Sequence, residues 1–324
     1  MKSSENQHSA LKFPITTILG SKGHISVLRE LFRSEHPVSH SELLDRTDLS
    51  RQGVYDITKR LVETGVISYI GSGRQQLVIA RKEHPLYEKL VNLFNEETRR
   101  YETLIKSLQT AITKLEIQPD SAWIFSGVAR WTDEYGDPVQ IALLGKLNTI
   151  DSITSNFRKS LLQNRVESTF DVTIDISGIT MADLETKPHL TKDGIIHLWG
   201  IHPDVYLNPN KSAPTSIKSH HHFDKKSLLG SQVWSALLKS NPEIIPRTIS
   251  MLEKQIDTIS SGEKMELEEW KNILENSSYQ RLKKLIESDS QRSTRLRQSL
   301  PFWEVLTDNE RKKFNQIKAE ITNS

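Results

Sequence analysis

Between residues 47 and 80 the chain changes hydrophobic period across a glycine, and that change limits what its first third can fold into. Val54, Ile57 and Leu61 recur at i, i+3 and i+7, the spacing of one helix face. Ser50 precedes them with a hydroxyl suited to an N-cap, which predicts a helix from Arg51 to about Glu63. Gly65 follows as the residue that ends it in a left-handed conformation. Residues 66–70 (VISYI) and 76–80 (QLVIA) then read as strands. Gly71-Ser72-Gly73-Arg74-Gln75 joins them as a flexible, basic hairpin tip. Upstream, Ile25, Leu28, Leu31 and Phe32 predict a helix from Lys22, and Leu43 and Leu44 a short helix capped near Ser39.

Helix, helix, turn, helix, hairpin is the order of a winged helix-turn-helix. The block resembles the DNA-binding domain of MarR- and ArsR-type bacterial regulators, and LSRQGVYDITKRLVETGVI resembles their recognition helix and its exit into the wing. The resemblance implies double-stranded DNA as a partner and a homodimer as the binding form. With Val54, Ile57 and Leu61 turned inward, Gln52, Tyr55, Asp56 and Lys59 turn outward. Ser50, Arg51, Gln52 and Tyr55 are the candidates for the helix start that meets base edges, where Arg suits guanine and Gln adenine. Lys59, Arg60 and Arg74 are candidates for phosphate or minor-groove contacts. The alternative use of such a domain is contact with another protein.

The bulk numbers leave that choice open. A net charge of +2 over 324 residues neither requires nor excludes nucleic acid, so any basic surface must be local. The length allows two or three domains. With no cysteine there are no disulfides, thiolate metal sites or thiol chemistry. The polar N-terminus, MKSSENQHSALKF, has no signal-peptide run, and no stretch approaches the ~18 apolar residues of a membrane span. The expected setting is the cytoplasm, with no membrane partner.

After Pro85, Leu86, Leu90, Leu93 and Phe94, and then Tyr101, Leu104, Ile105, Leu108 and Ile112, predict one bent helix or two. Such a segment either dimerises a regulator or connects and packs on its own domains.

Residues 122–130 (AWIFSGVAR) read as a buried strand opening into a turn and helix. Residues 139–146 and 170–178 read as further strands, with a helix between them on Ile150, Ile153, Phe157, Leu161 and Leu162. Leu198-Trp199-Gly200 closes the segment. This order resembles the minimal nucleotidyltransferase domain of the DNA polymerase β superfamily, which reads FGS-V-A-R-G and then S-D-x-D-L. In that family the Gly-Ser turn brings backbone N–H groups to a triphosphate. Two aspartates on one strand, and a third carboxylate on a later one, hold two Mg²⁺ ions. Phe125, Val128, Ala129 and Arg130 match, but the pair is inverted to Ser126-Gly127. Laying Gly136-Asp137-Pro138-Val139 on S-D-x-D keeps Asp137 and puts Val139 at the second aspartate. Slipping by one puts Pro138 and Gln140 there. Asp171 and Asp175 fall on the third strand and do not restore the pair. An apolar side chain cannot ligate Mg²⁺, so the expectation is an inactive nucleotidyltransferase fold without metal or cofactor. Ser126, Gly127 and Arg130 either bind a phosphate or simply build the turn.

Residues 206–225, with Asn208-Pro209-Asn210, Ser212-Ala213-Pro214 and His220-His221-His222, read as a linker. Three adjacent histidines cannot all face one ion from a regular element. From Lys226 the chain is helical, with faces on Val233, Trp234 and Leu237, on Met251, Leu252 and Ile256, on Trp270, Ile273 and Leu274, and on Leu282, Leu285 and Ile286. Arg295, Arg297, Arg311, Lys312 and Lys313, beside Phe302 and Trp303, form either a basic contact surface or a solvated face over a packed anchor.

The expected architecture is multidomain and mainly α with α+β parts. It comprises a tail (1–15), a winged helix (16–84), a helical connector (85–118), a nucleotidyltransferase-like core (119–205), a linker (206–225) and a helical domain (226–324). The expected function is transcriptional regulation, as a repressor, with a pseudoenzyme domain that binds a ligand or a toxin or phage-defence partner. The competing expectation is a Mg²⁺-dependent nucleotidyltransferase acting on protein or tRNA.

Overall fold

The computed structural model describes residue 15 and residues 18–71, 76–192, 194–207, 224–258 and 261–323. Arg74 and the histidines 220–222 lie outside the described residues. The fold is mixed α/β and predominantly helical, with two small sheets. By contacts the chain divides into two compact units, residues 1–103 and 104–324.

The first unit holds helices α1 (Lys22–Arg33), α2 (His40–Arg46) and α3 (Arg51–Glu63) and strands β1 (Val38–Ser39), β2 (Ile67–Ile70) and β3 (Leu77–Ala80). The helix starts are fixed by hydroxyls. Ser39 and Glu42 form a capping box on α2, and Ser50 Oγ accepts from the Gly53 N–H at 3.1 Å on α3. Gly65 ends the α3 turn at φ +71°, a conformation open to glycine at little cost. β2 and β3 pair antiparallel from Ile67–Ala80 to Ile70–Leu77, and β1 adds outside β3, giving the order β1-β3-β2. Leu28, Leu31, Leu43, Val54, Leu61, Ile67 and Val78 form the core with Leu90 and Phe94. The last two come from α4 (Tyr87–Thr113), a single helix. Arg29 donates to both carboxylate oxygens of Glu97 at 2.6 and 2.8 Å, tying α1 to α4 at the surface.

The second unit takes Leu104, Leu108 and Ile112 of α4 into its own core. Its sheet comprises β4 (Ser121–Phe125), β5 (Val139–Leu144), β6 (Ile174–Ile179) and β7 (Ile196–Gly200), in the order β6-β5-β4-β7. β4 is antiparallel to both β5 and β7, whereas β5 and β6 are parallel. The crossover between the parallel pair is α6 (Ile150–Gln163) and the short α7 (Val166–Phe170), as parallel neighbours require. Alternation splits the sheet cleanly. Ala122, Ile124, Val139, Ile141, Ile174 and Ile176 face α6, while Trp123, Phe125, Ala142, Leu144 and Ile179 face the other side. Helix α5 (Ser126–Arg130) follows β4 directly, and α8 (Met181–Thr186) follows β6.

The C-terminal helices are α9 (Asp224–Ser240), α10 (Ile244–Ile256), α11 (Ser261–Asn276), α12 (Tyr279–Glu287), α13 (Gln291–Gln298) and α14 (Asp308–Asn323). Their core is built on Trp234, Leu252, Trp270, Leu282, Ile286 and Phe302. They belong to the same compact unit as the sheet, and buried cations explain why. Arg292 of α13 meets Glu167 at 2.6 Å, Glu269 at 2.9 Å and the Ile174 carbonyl of β6 at 2.7 Å. Arg281 of α12 is 2% exposed and donates to Asp171 at 2.5 Å and to the Val172 carbonyl.

Two expectations are corrected by the fold. The strand expected at 170–178 begins at Ile174, and Asp171 sits before it in a left-handed turn at φ +48°, so only Asp175 is on the strand. Arg295 and Arg297 are not part of a solvated basic face. Arg297 is buried against the Ile286 and Ser288 carbonyls, and Arg295 pairs with Glu269 at 2.6 Å. Thr58, to which the hydrophobic pattern assigns no role, is fully buried on α3. Its hydroxyl donates to the Val54 carbonyl at 2.9 Å and lies 3.1 Å from His40 Nε2.

Candidate nucleic-acid interface and nucleotide pocket

Helix α3 separates its faces as the first unit requires. Val54, Thr58 and Leu61 are buried, Ile57 is half-buried, and Arg51, Gln52, Tyr55, Asp56, Lys59 and Arg60 are exposed. Tyr55 is 53% exposed, much for a large aromatic, and its ring lies 6.3 Å from that of His40. Burial holds the His40 imidazole below its ordinary value, against a hydrogen bond from the ring to the Gln76 backbone that acts the other way. Gln52 Nε2 donates to Asp56 at 2.8 Å across one helical turn, so the amide is held on the outer face. Ser50 is occupied as the cap, so its hydroxyl has structural work at the helix start. Arg51, Gln52, Tyr55, Lys59 and Arg60 thus share one exposed face of a capped helix, carrying three cations against the two carboxylates of Asp56 and Glu63.

The second unit holds a pocket of about 510 Å³ where β4 turns into α5. Ser126, Gly127, Val128 and Arg130 line one wall, Asp137, Pro138 and Gln140 the next, and Lys284, Glu287 and Ser288 of α12 and its end the third. The sequence candidates Ser126, Gly127 and Arg130 are brought together. Lys284, Glu287 and Ser288 were missed, because nothing in local periodicity says that the end of α12 closes a pocket on a strand some 145 residues earlier. Ser126 has φ +69°, a left-handed conformation that costs an L-residue roughly 1–2 kcal/mol. The inverted turn therefore keeps the backbone shape that a glycine would adopt freely at this position.

The two frames laid on S-D-x-D put residues of opposite faces of β5 at the second aspartate. Val139 is 5% exposed and packs in the core with α6. Gln140 lies on the opposite face, lines the pocket and pairs in register with Asp175 of β6. On β5 itself the pocket-facing position is Gln140, with Pro138 and Asp137 lining the pocket just before the strand. Asp137 is tied within the pocket wall, accepting from the Glu134 N–H at 2.7 Å and from Lys284 Nζ at 2.7 Å. Burial pushes its carboxyl up, but the Lys284 and Glu134 hydrogen bonds and the Lys284 charge outweigh that and hold it below the usual range.

Asp175 is the one carboxylate on the pocket side of β6. It is 4% exposed, and its Oδ1 has no hydrogen-bond partner. Burial raises its pKa, against Ser290, Arg292 and Arg158, which lower it. Among the described residues no group of three or more His, Asp or Glu side chains could hold a metal ion. None of the helices in that set is long and apolar enough to cross a membrane.

Comparison with protein-family models, with curated proteins and with solved structures gave no match.

Proposed function

We propose that the chain is a sequence-specific DNA-binding transcriptional regulator whose first unit reads DNA through α3. The observation that carries this reading is the outer face of that helix, where Arg51, Gln52, Tyr55, Lys59 and Arg60 stand exposed above a buried Val54–Thr58–Leu61 stripe. Helix order and the antiparallel β1-β3-β2 sheet support a winged helix. In this reading Arg51, Gln52 and Tyr55 meet base edges, Lys59 and Arg60 meet phosphates, and a homodimer spans two half-sites. Selection of bound duplexes from a random pool, with a size measurement in the same buffer, tests it. Recovery of a shared motif by a dimer is the expected result, and recovery of no motif would sink the proposal.

The second unit is read as a nucleotidyltransferase-like fold without catalytic metals. Support comes from the mixed sheet with its strand–turn–helix at Ser126 and from Pro138 and Gln140 at the positions that metal ligands would take. Its role in this reading is to bind a ligand or to dock a toxin or defence protein. The open 510 Å³ pocket with Arg130 on its wall favours one further reading, a retained capacity to bind a nucleotide phosphate or to transfer a nucleotide. Incubation with labelled nucleotides and Mg²⁺ decides that point, since transfer lost on changing Asp175 would make the protein an enzyme.

A further inference from the structure

A second cavity of the 104–324 unit lies away from the Ser126 pocket, between α6, β6, α11 and α13, with a volume of about 260 Å³. Its apolar wall is built from Leu161, Leu162, Ile174, Ile176 and Met265. Its charged wall has four basic groups, Arg158, Lys159, Arg292 and Arg295, and three carboxylates, Glu167, Glu266 and Glu269. The carboxylates are already engaged. Arg292 holds Glu167 and Glu269, and Arg295 holds Glu269 and Glu266.

Arg158 is different. Its Nε is buried without a partner, and no hydrogen bond or ion pair forms on its guanidinium among the described residues. Burial lowers its pKa, with Arg295 and Arg292 acting the same way and Glu269 and Asp175 opposing. A half-buried guanidinium whose Nε–H is buried without an acceptor is an unfavourable arrangement that a bound anion relieves. The wall carries one positive charge beyond its own carboxylates, and Glu167 and Glu269 would repel a dianion. A monoanion with an apolar body matches both halves of the cavity.

We infer that this cavity binds a small organic monocarboxylate, its carboxylate on Arg158 and its apolar body against Leu162, Ile176 and Met265. The site is separate from α3, so it stands whether or not the first unit reads DNA.

The test uses the full chain at constant ionic strength, with benzoate and hexanoate as probes, benzamide and hexanamide as neutral counterparts, and inorganic phosphate as the dianion-capable control. Calorimetric titration and thermal unfolding are read for wild type and Arg158→Met. The carboxylates are expected to bind wild type and raise its Tm. The amides and phosphate are expected to bind at least about tenfold more weakly, and the variant to lose at least about tenfold in carboxylate affinity, as a charged hydrogen bond implies. Without ligand, Arg158→Met should melt no lower than wild type. If that variant does not fold, Arg158→Lys serves, with the same loss expected because the planar fork is gone. Absence of carboxylate binding, equal binding of the amides, stronger binding of phosphate, or undiminished binding by the variant would each overturn the inference.

Discussion

Gln140 and Asp175 are register partners across the parallel β5–β6 pair, and Gln140 lines the pocket at Ser126 with a neutral amide. Gln140 gives Asp175 no anionic partner for Mg²⁺, and the Asp137 carboxylate on the pocket wall is already held by Lys284. Mg²⁺ is therefore expected to leave the Tm of the wild-type protein unchanged. Gln140→Asp would place two acids on adjacent strands and should cost about 1 kcal/mol, the scale of a like-charge cross-strand pair. Added Mg²⁺ should return that loss. A Mg²⁺-dependent rise in the wild-type Tm would contradict this account of the pocket.

Asp175 gives a pH signature of its own. Its folded-state pKa is raised by burial, so its contribution to stability is full below the unfolded carboxylate range and is lost as pH rises through the folded value. Asp175→Asn should consequently be more stable than wild type at pH 7, by about 1 kcal/mol, with the gain shrinking as pH falls toward 4. Denaturant melts of both proteins across that range check it, and a gain that grew on acidification would reverse the sign.

Lys284 and Asp137 titrate in the opposite sense. The Asp137 carboxyl is held low, so the stability it adds is present above the unfolded carboxylate range and is lost as pH falls through the folded value. The pair is partly exposed, with side chains 22% and 35% accessible, and solvent screening limits it to about 1 kcal/mol or less. Lys284→Met should show that small deficit at pH 7 and none in strong acid.

Arg292 joins the helices to the sheet. It is buried between Glu167, Glu269 and the Ile174 carbonyl, and Arg292→Met would leave both carboxylates in place without their shared partner. Breaking a buried ion pair from one side costs about 3–5 kcal/mol. Urea melts should show that loss, while Arg29→Met, which breaks a surface pair with Glu97, should cost about 1 kcal/mol or less.

How much of the fold and the pocket was readable in the sequence depended on the range of the interaction. Ser39, Ser50 and Gly65 act on their own neighbours, so their caps and turn followed from residue type and position. Val54 and Leu61 on the inward face of α3 followed from period, but not the buried Thr58. The face of β5 did not. Asp137, Val139 and Gln140 could be threaded in two frames, and only pairing with β4 and β6 decides which side chains meet the pocket. The buried Arg281 and the half-buried Lys284 were hidden for a similar reason. On a helical wheel Arg281 and Lys284 lie beside Leu282 and Leu285 as an ordinary polar face, and their partners are more than a hundred residues earlier in the chain. Arg295 and Arg297 looked solvated because a run of basic residues usually is, and here carbonyls bury Arg297 while Glu269 pairs with the half-buried Arg295.

Ser126 stores a small, testable strain. Its φ of +69° suits glycine, whereas a Cβ added at Gly127 would find ordinary space, the nearest atom being Asp133 Cα at 3.5 Å. Ser126→Gly should thus be neutral or stabilising by up to about 1 kcal/mol, the left-handed cost less the added chain entropy. Gly127→Ser should be tolerated. A Ser126→Gly protein melting several degrees lower would mean that the serine hydroxyl holds the turn.

The most direct test of the central claim is the salt dependence of DNA binding by the outer face of α3. Fluorescence anisotropy on a selected duplex, titrated over a range of salt concentrations, compares wild type with Lys59→Ala and Gln52→Ala. Lys59→Ala should weaken binding to all sequences alike and reduce the slope of log K against log salt by about one. Gln52→Ala should keep the slope and lose about 1–3 kcal/mol of discrimination at one base pair. Wild-type affinity, slope and base preference unchanged in both variants would contradict the claim that α3 reads DNA.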